Sequence, residues 1–96
     1  MKIVFTDEAD ADLLHIIGYI AERHRAAARD LIMTFNARLQ TLSEYPLIGR
    51  DRCSLLPGLR SVVAHSYVIF YRVEKDAVVI SRILDGRRDV DEGFFH

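Results

Sequence analysis

The chain has no tryptophan, one cysteine, two prolines and five glycines among its 96 residues, and each scarcity excludes something. The lone Cys53 cannot close an internal disulfide, so packing and hydrogen bonds must hold the fold. The N-terminal residues offer no basic stretch followed by an apolar core. No run approaches the roughly 20 apolar residues a membrane helix needs, so the expectation is no signal peptide, no membrane contact and a reducing cytoplasm. A net charge of -1 argues against general affinity for polyanions, and no direct sequence-specific nucleic-acid binding is expected. The four histidines have no metal-ligand spacing with each other or with Cys53. No phosphate-cradling glycine loop, serine triad or paired-carboxylate motif occurs, so neither metal nor cofactor is expected.

What is present is a half-apolar chain, enough for one compact domain over residues 1–96 and too short for a second. Thr6 is placed to cap a helix whose first turn carries Asp7 and Glu8. Leu13, Ile16, Ile17 and Ile20 follow at i, i+3, i+4 and i+7, which predicts an amphipathic helix from Asp7 to Glu22. After a polar break at Arg23-His24-Arg25, the residues Ala28, Leu31, Ile32, Phe35, Leu39 and Leu42 repeat the helical spacing to about Ser43. Pro46 and Gly49 then forbid continuation. Two helices with a short connection predict an αα-hairpin.

Both prolines fall between Glu44 and Gly58, a surface loop closed by a Pro57-Gly58 turn of type II geometry. Three β-branched and aromatic runs follow, Leu59 to Ala64, Tyr67 to Val73 and Ala77 to Leu84, joined by hairpin-length turns, and Ile3-Val4-Phe5 is expected as a short edge strand. The class is therefore α+β, an N-terminal helical hairpin on a twisted, mainly antiparallel sheet of three to four strands. Simple register sets Arg60 opposite Tyr71, Arg72 opposite Val78 and Val68 opposite Arg82, unless a bulge intervenes. Arg72 and Arg82 then share one face, with Arg60 and Tyr71 on the other. One face packs on the helices; the other is expected to be a concave, partly apolar groove.

Charge is unevenly spread. Arg50 to Arg88 holds eight Lys or Arg against four acids, while Asp89 to His96 holds three acids and no base. Arg87 and Arg88 follow Gly86 at the end of the last strand, able to meet a partner's carboxylates or phosphates, or to pair with Asp85, Asp89 or Asp91. His65 and Tyr71 could be cast as base and acid of a nuclease, but His65 falls in a turn and reads as an ordinary exposed histidine.

Four fragments then stand in order: Pro46-x-x-Gly49-Arg50-x-Arg52; Leu56-Pro57-Gly58-Leu59-Arg60-Ser61; Tyr67-Val68-Ile69-Phe70-Tyr71-Arg72-Val73; and Ile83-Leu84-x-Gly86-Arg87-Arg88-Asp89. With Ala9, Leu13, Ile17 and Tyr19-Ile20 on the first helix, this pattern resembles the ParE branch of the RelE/ParE toxin superfamily. The resemblance implies the toxin of a type II toxin–antitoxin pair, a non-catalytic inhibitor of DNA gyrase and so of replication. It further implies neutralisation by a ParD-like antitoxin that lays a helix and an extended segment across the toxin.

On that reading Arg60, Arg72, Arg82, Arg87 and Arg88 are the candidates to engage the target. Leu59, Val62, Tyr67, Ile69 and Tyr71 are the candidates to engage the antitoxin. The rival is the RelE branch, which cuts mRNA on the ribosome; here Val63 and Ala64 stand where its cation precedes the first hairpin turn, and Phe94 or Phe95 where its C-terminal tyrosine falls. A third reading is a non-toxic antitoxin-binding module. Asp85 departs from the ParE pattern, in which a histidine is common, and is placed to tie up a neighbouring arginine.

Overall fold

The computed structural model describes residues 1–95. The first helix begins where the sequence places its cap. The Thr6 hydroxyl accepts the Ala9 N–H at 3.1 Å, and α1 runs Asp7–Arg23. His24 then serves two helices: its N–H donates to Ile20 at the end of α1, and its ring accepts the Ala27 N–H at 3.1 Å. This satisfies otherwise orphaned groups at both helix ends. The side-chain cap starts α2, Arg25–Glu44, three residues before its first core residue, Ala28.

The helices cover one face of a five-stranded sheet in the order β1-β5-β4-β3-β2. Its strands are β1 (Lys2–Phe5), β2 (Arg50–Asp51), β3 (Arg60–Ala64), β4 (Tyr67–Glu74) and β5 (Ala77–Asp85). The expected three to four strands become five because Arg50 and Asp51 pair with Ser61 and Arg60, extending the sheet by one two-residue strand. β1 is an edge strand as expected, and it lies parallel to β5, with Lys2 opposite Ala77 and Phe5 opposite Ile80. The other pairings are antiparallel.

Register follows the simple hairpin in one place and departs from it in another. Arg60 stands opposite Tyr71. Between β4 and β5, however, Arg72 faces Val79 rather than Val78, and Val68 faces Leu84 rather than Arg82. Two causes add. The turn is one residue shorter than expected, since Glu74 pairs with Ala77, and a bulge at Phe70/Tyr71 leaves Ser81 as the extra residue. Both slips run in the same direction, so Arg82 ends opposite Phe70, on the same face as Arg72.

The main core lies between helices and sheet, where Ala9, Ile16, Leu31, Phe35 and Leu42 meet Ile69, Tyr71, Val78, Ile80 and Ile83. The other face is not the open groove the sequence suggests. Leu59, Phe70 and Leu84 are buried there beneath Leu55, Leu56, Val90, Phe94 and Phe95. The chain's own C-terminal strap, ending in a 3-10 turn at Glu92–Phe95, lies across the sheet. Phe95 meets Phe70 edge-on at 5.2 Å between ring centres, a favoured aromatic geometry.

Candidate functional site

The five candidate arginines do not converge. Arg82 is fastened inward: Nε and Nη2 reach the two carboxylate oxygens of Asp12 on α1 at 2.8 and 2.9 Å, and Nη1 reaches the Phe94 carbonyl. The Asp12 bond raises the Arg82 pKa above its ordinary value. Asp12 also accepts the backbone N–H of Ile83 at 3.0 Å, beyond the point where β1 ends. A carboxylate thus closes a stretch of β5 edge that no strand covers. Arg72 donates to Glu74 at 2.7 Å and to the bulged Ser81 hydroxyl at 3.0 Å.

Arg87 and Arg88 differ from one another. Arg87 is held by Asp85 through two side-chain bonds of 3.3 and 3.2 Å, and Asp85 also accepts the Arg87 N–H. The Arg87 guanidinium, followed by its backbone N–H, holds the Asp85 carboxyl below its usual range. Arg88 makes no ion pair among the described residues; its guanidinium lies 5.0 Å from the centre of the Phe94 ring. Arg60, on the helix side of β3, donates to the carbonyls of Leu47 and Gly49. It orders the loop before β2 without being neutralised by a carboxylate.

Of the apolar candidates, Leu59, Ile69 and Tyr71 are core residues with at most 1% exposure, so they present no surface to a partner in this fold. Tyr71 is sealed under the loop, its phenol donating to Pro46 O and accepting the Gly49 N–H, both at 2.8 Å. Burial raises its pKa. Val62 and Tyr67 keep partial exposure. Tyr67 borders a hollow of about 280 Å³ of mixed character, where Asp12, His15, Asp85 and Arg88 stand beside Ile16 and Leu84. Burial and the nearby Asp85 charge raise the Tyr67 pKa.

A more apolar concavity lies elsewhere. A hollow of about 400 Å³ opens between α1 and α2, lined by Leu13, Leu14, Ile17, Ile32, Phe35 and Leu39 among others, and it continues past Ile17 and Ile32 toward Ala21 and Arg29. Leu14 is 75% exposed at its rim. The signal is present in the sequence, because Leu14 adds to the first helix stripe and Ile32 widens the second beyond the residues that become buried. A helix with more apolar surface than one core face needs has a second side to cover.

His65 and Tyr71 are far from forming an acid–base pair with the arginines. His65 sits in the β3–β4 turn with φ +56°, and its Nε2 pairs with the Thr34 hydroxyl at 2.9 Å. Cys53 is exposed, and its N–H donates to Asp51. No group of three His, Cys, Asp or Glu among the described residues is placed to hold a metal ion, and no described helix is long and apolar enough to cross a membrane.

This two-layer architecture matches a known pattern. The family model for the ParE toxin of the type II toxin–antitoxin system parDE matches residues 3–90. The chain belongs to the ParE toxin family. Toxin ParE3 of Caulobacter vibrioides is 31% identical over 90 residues, covering 93% of this chain and 90% of that one. Toxin RelE2 of the same organism is 36% identical over 87 residues, 91% and 97% of the two chains. Among solved structures, a chromosomal ParDE toxin–antitoxin system from P. aeruginosa superposes with a TM-score of 0.73 at 23% identity, over 88% of this chain and 95% of that one. The ParE fold accounts for both helices on one face of the sheet, and the chain is the toxin component of a type II toxin–antitoxin system.

Proposed function

We propose that this ParE-family toxin acts in the cytoplasm as a non-catalytic poison of DNA gyrase and is neutralised by a ParD-like antitoxin. The observation that carries the reading is the ParE match, which spans residues 3–90. The side-chain arrangement supports a docking mode of action. Arg72, Arg82 and Arg87 are each bound to a carboxylate, and the Tyr71 phenol is committed to backbone groups under the loop. Cooperative acid–base catalysis needs donor, acceptor and cation at one point, whereas docking needs only shape and charge. Arg88 and the exposed side of Arg87 then reach the target from the end of β5.

The antitoxin contact falls on the groove between α1 and α2 rather than on the buried Leu59, Ile69 and Tyr71. Leu14, Ile17, Ile32 and Leu39 offer an apolar trough for one face of an amphipathic helix, while Val62 and Tyr67 remain as partly exposed contacts. Ile32→Asp should weaken antitoxin binding by about 2 kcal/mol or more, as for a buried interface anchor; calorimetric titration against an antitoxin encoded beside the toxin measures it. An unchanged affinity would move the contact off the helices.

The activity itself is tested with purified protein. Cleaved plasmid covalently attached to gyrase should accumulate as toxin is added, and Arg88→Ala should reduce it. The likeness to Toxin RelE2 makes mRNA cleavage on translating ribosomes the second reading. Intact gyrase activity together with fragmented mRNA would replace the first reading with the second, and neither effect would leave an antitoxin-binding module.

A further inference from the structure

We propose a second docking surface around β2 and the β3 edge that receives an acidic amphipathic segment of another protein. The surface stands apart from the groove between the helices and does not depend on the gyrase reading. Eleven of the thirteen basic residues are arginines, and they divide by the acceptor that orients them. Arg72, Arg82 and Arg87 hydrogen-bond to carboxylates, while Arg23, on the exposed end of α1, donates to the Tyr19 carbonyl and lies 3.8 Å from Glu22. Around β2 the acceptors are neutral: Arg38 Nε donates to Val63 O at 2.8 Å, Arg52 Nε to the Ser61 hydroxyl at 2.9 Å, and Arg60 to Leu47 O and Gly49 O. A guanidinium held in place by carbonyls keeps its full charge and spare donors, so its position is fixed before an anion arrives.

Arg38 and the exposed Arg50 line one hollow of about 320 Å³ with Thr41, Ile48, Ser61 and Val63. The carboxylate of β2, Asp51, is occupied by the Cys53 N–H at 2.8 Å. It also lies in the field of Arg60. The patch therefore carries a net positive charge.

Its apolar members decide between two kinds of anion. Ile48 and Val63, which line the hollow, are each 60% exposed, and Tyr45 and Leu47 in the chain segment leading to it are 62 and 65% exposed. Aliphatic side chains gain nothing from a phosphate backbone, which is bound by cations and hydrogen-bond donors. They do gain from a protein segment that places leucine-like residues next to glutamates or aspartates. Strand addition to β3 is blocked, because β2 occupies its edge at Arg60 and Ser61 and Arg38 holds the Val63 carbonyl, and the two residues of β2 offer too short an edge of their own. The segment packs by its side chains.

Fluorescence anisotropy with the purified toxin tests this, at about 0.1 M salt so that charge is neither unscreened nor abolished. The probes are a labelled peptide of about 15 residues with leucine at helical spacing and glutamate elsewhere, the same peptide with serine for leucine, and a labelled DNA duplex of about 20 base pairs. The leucine–glutamate peptide should bind tightest. Arg50→Glu and Val63→Asp, both at exposed positions, should each weaken it roughly tenfold while circular dichroism stays unchanged. The proposal is overturned if the duplex binds tighter, if the serine peptide binds equally well, or if neither variant matters. It is equally overturned if Ile32→Asp, in the groove between the helices, abolishes peptide binding while Arg50→Glu does not.

Discussion

Replacing Tyr71 by phenylalanine probes the joint between sheet and loop with the loss of one atom. The ring is fully buried, and its hydroxyl satisfies the Gly49 N–H and the Pro46 carbonyl at once. The phenylalanine ring fits the same space, so the cost is polar. A buried N–H left without a partner costs about 1–3 kcal/mol, and a net hydrogen bond contributes about 1 kcal/mol. Pro46 is only partly buried, so water recovers some of its share, giving a destabilisation of about 2 kcal/mol. For a domain of this size that lowers the melting temperature by roughly 10 °C.

Gly49→Ala attacks the same joint from the other side. A Cβ there would stand 2.7 and 2.8 Å from Tyr71 ring carbons and closer still to the hydroxyl oxygen, and a fully buried ring cannot rotate aside. The expected cost is about 2–3 kcal/mol, as for overpacking. In the double variant the oxygen is gone but the ring carbons remain, so the combined cost should fall short of the sum. Urea denaturation followed by circular dichroism measures all three. A Tyr71→Phe protein within about 0.5 kcal/mol of the parent would refute the argument, as would strict additivity. The alkaline limb gives an independent check. Because burial raises the Tyr71 pKa, stability held by its neutral form is complete below about pH 10 and lost as pH rises through the folded value. Tyr71→Phe should flatten that loss.

Asp12→Ala should cost about 3 kcal/mol, because it strands a partly buried guanidinium and the Ile83 N–H together; Asp12→Asn, which still accepts from Ile83, should cost less in the same urea titration. The Asp85 carboxyl, held low by Arg87 side-chain and backbone donors, contributes stability that is present above about pH 4 and lost as pH falls through its lower folded value. Asp85→Asn should remove that part of the acid dependence. Lys75 opens the β4–β5 turn with φ +49°, so Lys75→Gly should be neutral or stabilising by up to about 1 kcal/mol, read as a shift in thermal midpoint.

Where one physical rule governs a residue, the sequence was legible. Thr6 and the 3.6-residue stripes fixed the start and faces of α1 because capping and burial agree there. Arg25 joined α2 ahead of its apolar stripe because the His24 ring supplies the cap, and histidine carries no strong capping signature. The two residues of β2 have no alternation to detect, and the bulged Ser81 looks like any other strand residue. The unbroken run Tyr67 to Tyr71 did imply cover on both faces. The second cover, however, comes from Phe94 and Phe95 of the same chain, which lie too close to the end of the sequence to show a strand or helix period. Among the site residues, Arg82 and Asp12 are 70 positions apart, and only the folded register brings them together. The stripes show that both helices are widely apolar, but periodicity does not say which of those residues the sheet covers, so the groove between the helices emerges only in the fold.

The parallel pairing of β1 with β5 has a consequence for how the molecule comes into being. β1 has its hydrogen-bonding partner at residues 77–80, so during synthesis it waits with an unpaired edge while both helices form behind it. Closing so long a loop is slow compared with helix formation. A polypeptide halted before β5 therefore leaves β1 without a neighbour and β4 paired on one side alone, and the arginines at the end of β5 take their places only after that strand has docked.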